Sequence, residues 1–128
     1  MTHDLTMLVW SAALAIVQML IFLLAAIAQV GVPTLASNRD TMPVLTGLAR
    51  RANRAHLNML ENLLLFAIVV VVAQIAGRAN GTTALGATLF FWARLVYAVV
   101  YLAGIPWVRT AVWTVSFVGI VMILTQLF

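Results

Sequence analysis

Charged and polar side chains recur at helical spacing inside two apolar stretches of this chain. Two sets of three such residues each fall on one face of a helix: Arg54, Asn58 and Glu61, and Arg94, Tyr97 and Tyr101. Ionisable groups within an apolar helix usually face a helix-bundle interior or a wet cavity. Guanidinium and phenol groups gathered in that way can bind an anion or stabilise a developing negative charge.

The depths of these residues can be compared if the two helices are neighbours that run in opposite directions. At a rise of 1.5 Å per residue, Glu61 lies about 10 Å beyond Arg54, and Arg94 lies about 10 Å from Tyr101. Glu61 and Arg94 then share a depth, which predicts a buried ion pair between them. Arg109 opens the last apolar stretch near the tyrosines. The polar residues are therefore predicted to converge on one half of the bundle.

Two interpretations of this cluster remain open. In the first, an Arg–Glu pair with Asn and Tyr hydrogen bonds holds the helices together, while Arg54 and Arg109 extend towards lipid phosphates. In the second, the cluster binds an anionic ligand. The count of charges favours the second interpretation, because at least three arginines surround a single carboxylate and one pair uses only one of them.

The composition indicates a membrane protein. Of the 128 residues, 65% are apolar and 8% are charged, against about 25% charged in a soluble domain. The absence of cysteine excludes disulfides and thiolate metal sites, and the two histidines and three acids are too dispersed for a usual metal site. The seven arginines are scattered among apolar runs, which argues against a nucleic-acid-binding stripe.

Four apolar stretches are long enough to cross a bilayer, which requires about 20 residues each. The predicted helices cover residues 5–30, 47–76, 83–103 and 107–127 of a single domain, 1–128. The first is too long for the apolar core of a secretory signal and is predicted to be retained. A polar loop is predicted from Thr34 to Thr46, a tight turn at Gly77–Gly81, and a break at Gly104–Pro106. The predicted fold is an all-α bundle of four transmembrane helices, because lipid leaves no other partner for backbone polar groups.

Arginine placement predicts the orientation of the bundle. The connections after the first and third helices share one side, and that side, with the helix ends next to it, carries five of the arginines: Arg39, Arg50, Arg51, Arg54 and Arg109. The other side, with both termini, carries only Arg78. The positive-inside rule places the arginine-rich side in the cytoplasm and both termini outside.

Two segments resemble the MAPEG family, the membrane-associated proteins in eicosanoid and glutathione metabolism. The segment Arg51–Asn62 resembles the family's signature at the start of its second helix, an R-A-x-x-N-x-x-E run. The segment from Ala93 to Thr110, with Arg94, Tyr97, Tyr101 and Arg109, is similar to the corner between the family's third and fourth helices. The two motifs occur in the family's order, and four helices of this length cover nearly the whole chain.

The resemblance implies a homotrimer in a membrane, here a bacterial inner membrane, that binds glutathione as co-substrate. It implies an Arg-stabilised thiolate that conjugates or reduces lipophilic electrophiles, with Arg109 as the catalytic residue. The glutathione contacts that it implies come from the two helical faces described above: Arg54, Asn58 and Glu61, and Arg94, Tyr97 and Tyr101. Membrane lipid and a lipophilic substrate are then the expected partners, and nucleic acid is not.

The sequence departs from the family pattern at two places. Several members carry a basic residue at the end of the first helix, where this chain has Gln29–Pro33. Several also carry a Glu at the position of Arg50. Either Arg39 or Arg50 is predicted to replace the absent base. The alternative function is a non-catalytic membrane protein whose polar pocket binds a lipid head group or serves trimer assembly.

Overall fold

The computed structural model covers residues 1–128 and contains five helices and no strands. In chain order these are α1 His3–Val30, α2 Val32–Ala36, α3 Gly47–Ile75, α4 Gly81–Ala103 and α5 Pro106–Thr125. All except α2 are long and apolar enough to cross a membrane. The predicted all-α fold with four membrane-spanning helices is therefore confirmed.

The short helix α2 lies partly in the segment that the sequence predicted to be a loop. Gly31 separates α1 from α2 with a positive φ of 84°, which a glycine adopts without strain. Pro33 then occupies the first turn of α2, where its fixed φ suits a helix and its missing N–H has no partner to lose. Gly31 thus ends one helix, and Pro33 helps to start the next.

The most extensive packing is between α4 and α5, and two glycines allow it. A Cβ added to Gly86 would lie 2.6 Å from the carbonyl oxygen of Gly119, and one added to Gly119 would lie 2.5 Å from the carbonyl oxygen of Gly86. Small residues at such crossings let helix backbones approach closely, and close packing is a main source of helix association in lipid. The Gly86–Gly119 contact therefore fixes how α5 lies against α4.

Helix α1 packs against both α3 and α4. The core between the helices includes a stacked pair, Phe66 and Phe90, with ring centroids 4.0 Å apart. At the start of α1, His3 Nε2 lies 2.6 Å from Thr88 Oγ1 of α4. Many large apolar side chains on the outer surface remain exposed, among them Leu24, Leu64 and Val99, as lipid-facing residues would be.

The arginine-rich end of the bundle is the end formed by the α1–α3 connection and the α4–α5 corner. Gln29 fixes the connection there: its amide nitrogen donates to the Val44 carbonyl and to Thr46 Oγ1, both at 3.3 Å, and its amide oxygen accepts from the Thr46 backbone N–H at 3.1 Å. Thr46 is the N-cap of α3. These bonds determine where α3 begins, and the first two turns of α3 carry three of the arginines.

Candidate functional site

Arg94 is fully buried between α4 and α3, and its closest polar partner is Asn58. Its Nη2 donates to Asn58 Oδ1 at 2.8 Å, and Asn62 also donates to that oxygen, at 3.2 Å. The guanidinium carbon lies 4.1 Å from the centroid of the Tyr97 ring, a cation–π contact that is stronger when both groups are desolvated. Arg94 therefore joins the polar faces of the two helices.

The predicted ion pair between Glu61 and Arg94 is wrong. Glu61 is exposed on the surface of α3, and the structure contains no ion pair between the two residues. The spacing of i, i+4 and i+7 places Arg54, Asn58 and Glu61 on one broad face, but the members of such a face still point in different directions. Three residues turn the helix by about 300°, so Glu61 points about 60° away from Asn58. That rotation directs Asn58 inwards to Arg94 and leaves Glu61 outside.

A pair of substitutions distinguishes the two partners of Arg94. Replacing Asn58 by Leu removes the hydrogen-bond acceptor of a buried cation and is expected to lower the free energy of unfolding by about 1–3 kcal/mol. Replacing the exposed Glu61 by Gln is expected to change it by no more than about 0.5 kcal/mol. Thermal unfolding of the protein in detergent, without added ligand, measures both changes. A larger loss for Glu61→Gln than for Asn58→Leu would restore the ion pair.

A cavity of 420 Å³ opens at the arginine-rich end, between the start of α3 and the α4–α5 corner. We call it the arginine cavity, and its lining consists of Gly47, Arg50, Arg51, Arg54, Tyr101, Gly104 and Arg109. No carboxylate lines it. Four guanidinium groups around one cavity thus make a strongly positive site, suited to carboxylate or phosphate groups, which arginine binds in a bidentate way.

Three of these four guanidinium groups form no hydrogen bond or ion pair within the protein. Arg51 Nε donates to the Leu102 carbonyl at 3.1 Å, which links α3 to the end of α4. Arg50 and Arg54 are exposed and form neither a hydrogen bond nor an ion pair with their side chains. Arg109 lies over the ring of Tyr101, with 4.7 Å between the guanidinium carbon and the ring centroid. The donors of Arg50, Arg54 and Arg109 are therefore available to a ligand.

A second, smaller cavity adjoins the first and extends towards the middle of the bundle. This tyrosine cavity has a volume of 160 Å³ and is lined by Asn58, Tyr97, Arg109, Thr110 and Trp113. Arg109 is common to both cavities. The rings of Tyr97 and Tyr101 are also neighbours, with centroids 5.6 Å apart. A ligand that fills the arginine cavity can therefore place a reactive atom beside Arg109 and still extend towards Tyr97.

The structure brings together most of the residues that the sequence predicted for the site. Five of them line one or both cavities: Arg54, Asn58, Tyr97, Tyr101 and Arg109. Arg94 lies behind the cavity wall, where it contacts Asn58 and Tyr97, and Glu61 lies outside both cavities. Arg51 was not among the predicted site residues, but it lines the arginine cavity, and its hydrogen bond to Leu102 holds its side chain in place. Its spacing of i, i+3 with Arg54 was a signal that could have identified it.

Comparison with known families agrees with this arrangement. The model of the MAPEG family matches residues 7–128, nearly the whole chain. The chain belongs to the MAPEG family. No curated protein and no solved structure matches it. The resemblance that the two helix motifs indicated is thus confirmed, and this MAPEG chain is a membrane protein of the glutathione and eicosanoid metabolism family. Both of its motifs, one on α3 and one at the α4–α5 corner, contribute residues to the walls of the arginine cavity.

Proposed function

We propose that the chain binds glutathione at the arginine-rich end and conjugates it to lipophilic electrophiles or uses it to reduce them. The observation that supports this most is the position of Arg109, which lines both the arginine cavity and the tyrosine cavity. The other arginines of the arginine cavity can hold the carboxylates of a thiol ligand. Arg109, which both cavities share, can then act on the sulfur of that ligand.

The arginine cavity fits the charges of glutathione. The tripeptide carries two carboxylates, and the side chains of Arg50 and Arg54 offer free donors for them at the mouth of the cavity. Each hydrogen bond to a charged group contributes about 1.5–3 kcal/mol. The two carboxylates then fix the tripeptide at its ends, so that its cysteine lies between them and faces Arg109.

The chemistry at Arg109 follows from its fixed charge. A free thiol has a pKa near 8.5, and the thiolate is the nucleophile. A guanidinium beside the sulfur stabilises the anion and lowers the pKa of the bound thiol. The thiolate attacks the electrophilic carbon of the substrate, a carbon–sulfur bond forms, and the leaving group departs with the displaced electron pair. A lipophilic substrate can reach the sulfur from the bilayer.

Glu61 and the homotrimer belong to the same proposal. Glu61 is exposed on α3, outside both cavities, and is free to meet a neighbouring subunit. In a homotrimer with the binding site at the subunit interface, that carboxylate can receive the ammonium of glutathione. The arginine-rich end then faces the cytoplasm, where glutathione is dissolved, and both termini lie on the opposite side of a bacterial inner membrane.

The structure favours Arg50 over Arg39 as the replacement for the absent base of the first helix. Arg50 lines the arginine cavity, whereas Arg39 lies in the α1–α3 connection and its Nε donates to the Leu35 carbonyl at 2.8 Å. Arg50→Gln is therefore expected to weaken glutathione binding by about tenfold, as the loss of one charge-assisted hydrogen bond implies. Arg39→Gln removes the same charge from the same end and is expected to leave affinity within about twofold. Equilibrium dialysis with labelled glutathione measures both, and equal losses would show that net charge, and not Arg50, determines binding.

Turnover of a lipophilic electrophile tests the proposed function itself. The purified protein in lipid nanodiscs is mixed with glutathione and chlorodinitrobenzene, and the absorbance of the conjugate is followed. We expect a rate that saturates with glutathione and exceeds that of nanodiscs without protein. Saturable glutathione binding without any turnover of this or a hydroperoxide substrate would contradict the enzymatic function and favour a binding role.

A further inference from the structure

We propose that the arginine cavity is also the binding site for the phosphate of an anionic phospholipid, which occupies it when no thiol is present. The cavity has four arginines in its wall and no carboxylate, and three of the four guanidinium groups form no hydrogen bond or ion pair within the protein. It lies at the ends of α3, α4 and α5, which are long and apolar enough to cross a membrane, and phospholipid head groups are expected at the ends of such helices. The lipid part of this inference stands on the cavity alone, whereas competition with a thiol rests on the proposed function.

Two helix starts add to the positive potential of this end. Helix α3 begins at Gly47 and α5 at Pro106, and neither has a side-chain cap or an acidic residue in its first turn. Unpaired N–H groups at a helix N-terminus attract anions. Gly47 itself lines the cavity, and Gly104 lies two residues before the start of α5. The two helix starts thus lie at the same end of the bundle as the arginines.

The surroundings of the cavity match a lipid better than a free anion. Each of the two glycines in the cavity wall is followed by an exposed apolar residue, Leu48 after Gly47 and Ile105 after Gly104, with 50% and 45% of their surfaces accessible. Trp107, 87% exposed, follows on the same corner, and tryptophan is enriched at the membrane interface. A ligand with a phosphate and acyl chains can satisfy the arginines and cover these apolar side chains at once.

The charge of the site selects among head groups. Phosphatidylcholine and phosphatidylethanolamine carry a cation beside their phosphate, and four arginines line the cavity against the single carboxylate, the partner subunit's Glu61, that the proposed homotrimer would supply. Phosphatidylglycerol has no such cation. Its phosphate can therefore approach the arginines without placing a second positive charge among them, so the site is expected to prefer the anionic lipid.

Lipid retention measures this preference directly. Protein from nanodiscs with equal amounts of phosphatidylglycerol and phosphatidylcholine is released into detergent, and the retained lipids are identified by native mass spectrometry. We expect retained phosphatidylglycerol to exceed phosphatidylcholine, and Arg50→Gln to reduce this excess about fivefold. Arg39→Gln is the matched control on the same side, and it is expected to retain the wild-type excess. Equal retention of the two lipids, or equal losses in the two variants, would overturn the proposal.

Two further arms separate the source of the phosphate and the link to the thiol. Inorganic phosphate at millimolar concentration is expected to leave the retained lipid in place. If phosphate at that concentration released all of the lipid, the site would bind free phosphate instead.

Increasing the phosphatidylglycerol content of the nanodiscs is expected to raise the apparent Kd for glutathione. If glutathione binds with the same Kd at every lipid composition, the two ligands do not share the cavity. If glutathione does not bind at all, the proposed function fails while lipid retention still decides the present inference.

Discussion

Arg109→Ala is expected to abolish the thiolate of bound glutathione and to lower kcat for conjugation by about 100- to 1,000-fold, the range found when one preorganised donor to a developing anion is removed. The reason is that Arg109 is the cation common to both cavities. The carboxylate-binding arginines remain in the variant, so the Kd for glutathione should change by much less than kcat. The ultraviolet band of the thiolate and steady-state rates measure the two effects separately.

The control for this variant is Arg78→Ala. Arg78 is exposed after the end of α3, at the opposite end of the bundle from the cavities, and its replacement removes the same charge from the chain. Its thiolate band and kcat are expected to equal those of the wild type. An Arg109→Ala protein that keeps the band, or one in which the affinity for glutathione and kcat fall by the same factor, would show that Arg109 binds glutathione without activating its sulfur.

Gly86→Ala is expected to lower the free energy of unfolding by about 1–3 kcal/mol through overpacking. The added Cβ would lie 2.6 Å from the carbonyl oxygen of Gly119 and 3.0 Å from Ile123 Cγ1. The obstacle at the first distance is backbone, which no side-chain rotation can remove. Relief therefore requires α5 to move away from α4, and Arg109 moves with α5. Thermal unfolding in detergent measures the loss, and Gly119→Ala should show a loss of similar size.

Gly81→Ala is the matched control, since it is the same substitution on the same helix. A Cβ at Gly81 meets no atom within 4 Å, and the backbone there does not have the positive φ that favours glycine. Unchanged or slightly increased stability is expected, because alanine has the higher helix propensity. If Gly81→Ala and Gly86→Ala destabilised the protein equally, glycine would matter for the backbone and not for the contact between α4 and α5.

Hydropathy and the spacing of polar residues predicted the membrane-spanning helices and five of the residues that line the two cavities. This succeeded because a span needs a set length of apolar residues and because residues three or four apart share a helical face. Arg54 and Asn58 on α3, and Tyr97 and Tyr101 on α4, line the two cavities for that reason. Helix length and the sharing of a helical face depend on one helix alone, so the sequence is enough to predict them.

Contacts between helices could not be predicted from the sequence in the same way. The partner of Arg94 is Asn58 and not Glu61, because the rotation of α3 about its axis decides which of two residues on one broad face points inwards. The approach of Gly86 to Gly119 depends in the same way on the register of α5 against α4. Neither rotation nor register follows from the composition of one helix, since both are set by how the side chains of two helices fit together.

The pH at which bound glutathione ionises tests the central claim most directly. Wild-type protein saturated with glutathione is titrated while the ultraviolet thiolate band is recorded, and glutathione with Arg109→Ala protein is the reference. We expect the bound thiol to ionise well below the pKa near 8.5 of a free thiol, so that the thiolate is present at neutral pH. A bound thiol that ionises at the same pH as free glutathione would contradict the claim that Arg109 stabilises its anion.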